Sequence, residues 1–190
     1  MEADFSSSAK NPSSIPQEKS EERKQYLKFN LAPNTTIMLP IAQLTEVMTI
    51  PLGQIVPIPH MKPEVMGVYN WRGEILWMVD LGKIVGLLPW YEQTTNKANY
   101  KAIVINIDKR VKENYSKAIK AKLGLVVSRV QDIKWCEEKS IHQLKRSPQE
   151  NNKLNTFLQG YWLKSESEKI PILDGEKLLN YLPSGSIDIN

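Results

Sequence analysis

Residues 65–81 read Val-Met-Gly-Val-Tyr-Asn-Trp-Arg-Gly-Glu-Ile-Leu-Trp-Met-Val-Asp-Leu, two apolar runs joined by Asn70-Trp71-Arg72-Gly73. Asn at the first position of that link and Gly at the fourth fit a type I turn followed by a left-handed glycine. The block is therefore a tight β-hairpin, with Asn70 and Gly73 as its structural residues. Its second run, Ile75 to Val79, is apolar at every position. A solvated strand alternates, so this run belongs to a strand packed on both faces. Asp80 then opens a short segment ending near Gly86, with Leu81, Ile84, Val85 and Leu87 as its apolar positions.

The flanking sequence is also written for strands. Leu27, Phe29 and Leu31 alternate with Lys28 and Asn30, a half-buried strand; Ala32 to Thr35 supplies a turn, and Thr36 to Leu39 a second strand. Ala42 to Met48 fits either a short helical turn or an extended segment. Pro51, Pro57, Pro59 and Pro63 forbid a helix or a central strand, so this stretch runs extended along a sheet edge, with His60 as an exposed loop residue. Further strands are expected at Ile103–Ile107, Leu123–Val130, Phe157–Leu163 and Ile170–Leu173, with a long polar loop from Ile141 to Leu154 carrying one helical turn. Asp174 caps a final helix whose face is Leu178, Leu179 and Leu182, ended by Pro183 and Gly185. Many short strands and few helices give a mainly β class of barrel or sandwich type.

At 190 residues the chain has the length of one domain or two interleaved halves. Met1 to Lys24, with six serines and two prolines, reads as a disordered tail, and residues 183–190 as a C-terminal tail. A single cysteine, Cys136, allows no internal disulfide, and with only His60 and His142 beside it no zinc site of four cysteines or of two cysteines and two histidines. No apolar stretch approaches a membrane span, and the first residues lack a secretory core, so a soluble cytoplasmic protein is expected. No phosphate loop, nucleophile elbow or metalloprotease signature occurs, so no catalytic residue, metal site or cofactor is nominated.

Charge is concentrated. From Lys97 to Lys122 eight basic residues face Asp108 and Glu113, a net +6 in a chain of net +4. Lys109 to Lys122 has little apolar periodicity and reads as a solvated loop between two strands. The aromatic and cationic residues of the hairpin are the better binding signal, because Trp, Tyr and Arg are enriched at interface anchors. Trp77 belongs to the core, within Ile-Leu-Trp-Met-Val. Trp71, at a turn beside Arg72, is expected to be exposed and, with Tyr69, to contact a partner.

At these residues the chain resembles the CheW-like family, the coupling adaptors of bacterial chemosensory arrays. The resemblance runs through Leu44-Thr45-Glu46-Val47, Gly67-Val68-Tyr69-Asn70-Trp71-Arg72-Gly73, Asp80-Leu81, Leu123 to Val130 and Ile172-Leu173-Asp174, spanning residues 25–182. It implies two interleaved five-stranded β-barrel subdomains with a C-terminal helix and no catalytic site. It also implies two partners, a chemoreceptor's cytoplasmic tip and the regulatory domain of a CheA-type histidine kinase, and recruitment from the cytoplasm to membrane-associated receptor arrays. Receptor-contacting positions map onto Leu44, Gly67 and Arg72, and the glutamate that pairs with the hairpin arginine maps onto Glu46. Tyr69, Trp71, Trp77 and Ser128 depart from the usual residues, and Asp108 to Lys122 looks like an insertion. Those departures suit an adaptor of a dedicated pathway, such as type IV pilus motility or phototaxis. The reading from a different class is an oligonucleotide-binding β-barrel using the basic segment 97–122 with aromatics as stacking platforms.

Overall fold

The computed structural model describes residues 23–89, 98–109, 119–144, 153–165 and 168–181. The expected tails lie outside these residues up to Glu22 and from Leu182 onward, as do residues 110–118 of the basic segment.

Among the described residues eleven strands form two sheets. β1 (Arg23–Ala32) and β2 (Thr35–Pro40) make the first hairpin, and a 3-10 turn at Ile41–Gln43 leads into β3 (Leu44–Pro51). β4 (Val65–Trp71) and β5 (Glu74–Asp80) form the second hairpin, followed by the one-turn helix α1 (Leu81–Ile84). Then come β6 (Asn99–Lys109), β7 (Ile119–Val127), β8 (Arg129–Glu137), β9 (Ile141–Gln143), β10 (Leu158–Leu163), β11 (Lys169–Leu173) and helix α2 (Gly175–Tyr181). Sheet A has the order β8-β1-β2-β11-β10-β9, and sheet B the order β3-β6-β7-β5-β4. The outer strands of the sequence thus enclose the middle ones. This is the expected mainly β fold of two interleaved subdomains. Sheet A holds six strands instead of five because β8 turns a corner through the 3-10 turn Glu138–Ser140 and continues as β9. That corner brings the two edges of sheet A together.

The alternation of side chains builds three cores. In β5, Trp77 and Val79 enter one core while Leu76 and Met78 enter another; β6 divides Ile103 and Ile105 from Ala102 and Val104 in the same way. Both strands are buried on two faces, as the unbroken apolar run of β5 requires. Ile75 is the exception and is exposed. The largest core lies between the sheets, where Phe29, Ile37 and Leu39 of sheet A meet Val79, Ile105 and Leu125 of sheet B. Sheet B curls round the second core (Ile50, Ile55, Trp71, Leu76, Met78) and sheet A round the third (Tyr26, Met38, Cys136, Ile170, Ile172). Among the described residues the first core holds 20 buried residues, the second 8 and the third 5. At about 1.5–3 kcal/mol for each large apolar side chain, the shared core is what makes one unit of the two sheets.

Asp174 caps α2 as expected, and Asp80 caps α1 in the same way. Asp80 Oδ1 accepts from the Lys83 N–H at 3.0 Å, and Asp174 Oδ1 accepts from the N–H groups of Glu176 and Lys177 at 3.0 and 3.3 Å. Leu178 and Leu179 seal the inter-sheet core, while Leu182 lies outside the described residues.

Several expectations change. The stretch Ala42 to Met48 is extended from Leu44 on, its burial alternating along β3, as suits β-branched Thr45, Val47 and Thr49. The loop expected from Lys109 to Lys122 is shorter, because the β6–β7 ladder continues to the pair Lys109 and Ile119. β7 ends at Val127, and the Ser128 N–H donates to the Asn30 carbonyl at 2.9 Å as the chain crosses to sheet A. β8 and β9 went unread because their apolar residues do not mark one buried face: Ile133 and Trp135 are exposed and Cys136 is buried.

Candidate functional site at the end of sheet B

The hairpin loop is tighter than the Asn-Trp-Arg-Gly reading implies. Trp71 pairs with Glu74 across the β4–β5 ladder, leaving only Arg72 and Gly73 in the loop. Both have positive φ, 55° and 85°. Two left-handed residues make a type I′ turn, whose twist matches the strands it joins. The Gly73 N–H donates to Asn70 Oδ1 at 2.9 Å, so Asn70 and Gly73 do hold the turn. An arginine in the left-handed region is strained by roughly 1–2 kcal/mol. The turn thereby lifts Arg72 into solvent, where its side chain is 69% exposed.

The turn geometry reverses the expectation for Trp71. As the last residue of β4 it points into the core enclosed by sheet B and is only 8% exposed. Its indole Nε1–H donates to Glu46 Oε2 at 3.1 Å, and Arg72 Nη2 donates to the same oxygen at 2.9 Å. Glu46 stands on β3 and Trp71 on β4, the two edge strands of sheet B. One carboxylate oxygen therefore ties together edges that no backbone ladder joins. The pair that the resemblance implies between Glu46 and Arg72 is present.

Two further groups complete this end. Lys122 of β7 lies 4.7 Å from the centre of the Trp71 ring and 2.5 Å from Glu74 Oε2. The Arg72 guanidinium lies 5.0 Å from the same ring. Asn106 of β6 is opposite Lys122 in the ladder, with its Oδ1 buried and without a hydrogen-bond partner. Each strand of sheet B thus places one polar or amphipathic residue at this end: Glu46, Asn106, Lys122, Glu74 and Trp71. They form a collar over the apolar core of Leu76, Met78 and Val104. Sequence reading found Glu46, Trp71 and Arg72 and missed Lys122, Glu74 and Asn106. The strand period places Lys122 on the same face as Val126, a clue obscured by assigning it to a loop.

The other nominated residues sit elsewhere. Leu44 precedes a register shift in β3 and packs on the inter-sheet core. Tyr69 is half-buried against the core of sheet B. Gly67 is buried where the proline segment crosses β4: Val56 and Val68 exchange backbone hydrogen bonds at 2.8 and 2.9 Å. A Cβ at Gly67 would stand 2.1 Å from the Val56 carbonyl oxygen, and its φ is +136°. Glycine is needed here for a close backbone approach. On the crossing segment Leu52, Val56 and Ile58 are exposed, and on sheet A so are Ile133 and Trp135.

Among the described residues no group of three His, Cys, Asp or Glu could hold a metal ion, and no helix is long and apolar enough to cross a membrane. The nucleic-acid reading needs exposed aromatic faces beside the basic segment. Lys122 does reach Trp71, but that indole is buried and carries a cation on its ring, and Lys101 donates to Thr49 Oγ1 at 2.7 Å. Lys97, Arg110, Lys112 and Lys117 lie outside the described residues.

A family model described as CheW-like domain matches residues 25–182. Among solved structures, the fold is similar to the crystal structure of scaffolding protein TtCheW from Thermoanaerobacter tengcongensis. The TM-score is 0.61 at 22% identity, covering 80% of this chain and 90% of that one. No curated protein matches the chain.

Proposed function

Because this chain belongs to the CheW-like domain family, we propose that it is a non-enzymatic adaptor joining a chemoreceptor's cytoplasmic tip to the regulatory domain of a CheA-type histidine kinase. It adds no chemistry of its own. A receptor conformation that contacts the adaptor differently in its two signalling states shifts kinase activity through that difference in contact energy. Contacts between unlike surfaces of similar subdomains extend such pairs into closed rings with the kinase domain. The dedicated output, pilus motility or phototaxis, belongs to this proposal, as does recruitment from the cytoplasm to receptor arrays.

The observation that carries the reading is the Arg72 guanidinium. It is exposed on a two-residue turn, gripped by Glu46, and backed by a buried indole. A cation held this way loses little freedom when it docks, which is what a weak, geometry-sensitive contact requires. Leu52, Val56 and Ile58, exposed on the rigid proline segment, are the apolar surface proposed for the kinase. The test is co-sedimentation with vesicles bearing the cytoplasmic fragment of a chemoreceptor from the same genome. Arg72→Ala and Glu46→Ala, folded by circular dichroism, are each expected to lower the bound fraction at least about tenfold. Binding equal to that of the unaltered protein overturns the assignment.

A further inference from the structure

We infer that Lys122 is a positioning residue for the docking cation Arg72, acting through the Trp71 ring and Glu74. The inference rests on the proposed docking role of the hairpin and extends it to a residue of the basic segment, which the family resemblance treats as part of an insertion.

The geometry is specific. Arg72 alone could swing about its long side chain, and its salt bridge to Glu46 is solvent-exposed on the arginine side. Such pairs hold geometry weakly unless a network stiffens them. Here the network exists. The indole that Arg72 rests against is fixed at its Nε1–H by Glu46 from β3 and contacted on its ring by Lys122 from β7. Lys122 in turn pairs with Glu74, the residue that closes the ladder opposite Trp71. The hairpin end is therefore braced from both sides, by an anion on β3 and a cation on β7. The Lys122 side chain is 29% exposed, far less than Arg72, as befits a support beneath the contact surface. Lys122 carries no contact to a partner in this scheme; its effect passes through the ring.

The experiment is a double-mutant cycle on the full chain, using the same receptor fragment on vesicles. Lys122→Met keeps the aliphatic stem and removes the charge; Lys122→Arg restores a cation that can still contact the ring and Glu74. Lys122→Met is expected to lower binding about fivefold to tenfold when Arg72 is present and to add little further loss in an Arg72→Ala background. Lys122→Arg is expected to bind within about twofold of the unaltered protein. In the free protein, hydrogen exchange at the Trp71 indole N–H should quicken in Lys122→Met and recover in Lys122→Arg. Normal binding by Lys122→Met while Arg72→Ala binds poorly overturns this inference and leaves the docking role standing. Independent, additive losses also overturn it, because Lys122 would then act apart from Arg72. Normal binding by Arg72→Ala overturns both.

Discussion

At the end of sheet B the ion pairs Arg72–Glu46 and Lys122–Glu74 flank an indole sunk into the core. At the end of sheet A, Arg23–Glu137 and Lys24–Glu138 join β1 to the end of β8 and the corner after it, and Lys139–Glu137 joins that corner to β8, with partners from one third to two thirds exposed. The residue types are the same in both places. In sheet B a carboxylate satisfies a buried indole N–H as well as a guanidinium, so removing it leaves a buried donor unpaired. In sheet A each pair can be solvated with little loss. The beneath-surface chemistry differs too. The core enclosed by sheet A ends in the small thiol of Cys136, while that of sheet B ends in a large aromatic with a polar edge. The charges of sheet B are thus coupled to a buried group, and those of sheet A are not.

If sheet A is structural support and the end of sheet B is the docking face, damage to the two should separate. Met38 is fully buried in the core of sheet A, away from the hairpin. Met38→Ala is expected to lower unfolding free energy by about 2–5 kcal/mol, read by urea denaturation. Below its melting temperature the variant should still bind the receptor fragment as the unaltered protein does. Loss of binding at full folding would show that the two subdomains are mechanically coupled and would break the contrast.

How far the sequence could be read follows the same line. The hairpin 65–81 was legible as a hairpin because two apolar runs flank a short link with Asn and Gly, although the link did not reveal its two-residue turn. The Glu46–Arg72 pair was reachable only through the family resemblance, since 26 residues separate them and nothing local joins them. Trp71 was misplaced because a shift from a four-residue to a two-residue reading of the turn flips the residue from solvent to core. β8 was missed because a strand at a sheet edge, carrying a bulge against β1 and exposing Ile133 and Trp135, has no clean period. Lys122 was hidden by its charge. A lysine at the mouth of a curled sheet follows the strand period but not the apolar pattern by which strands are recognised.

A smaller effect sharpens the contrast between the two enclosed cores. Burial pushes the Cys136 thiol up to about 11 from its ordinary 9.0. In the unfolded chain this thiol ionises first, so between about pH 9 and 11 the folded state retains a proton that the unfolded state has lost. Stability therefore falls as pH rises through that window, by about 1–2 kcal/mol at its upper end. Tyr26, raised first by burial and then by Cys136, adds in the same direction at the high end. Urea midpoints at pH 8, 9.5 and 10.5 should decline, and Cys136→Ala should flatten the decline. Tyr100, raised by burial and by Asp80, titrates equally in both proteins and cancels in the comparison. A slope unchanged in the alanine variant would show that Cys136 is not the sensitive group.

The finest comparison sets one carboxylate against another. Glu137→Gln removes the acceptor charge of two exposed pairs on sheet A, so stability should move by less than about 0.5 kcal/mol and docking not at all. Glu46→Gln is chemically the same change on sheet B. Its amide oxygen can still accept from the Trp71 indole, which keeps the stability cost within about 1 kcal/mol, but it no longer offers a charge to Arg72. Receptor binding by Glu46→Gln should therefore drop severalfold while its urea midpoint stays close to that of Glu137→Gln. Equal docking by the two variants would mean that the collar's charge is as idle as the pairs on sheet A, and that the turn backbone alone presents Arg72.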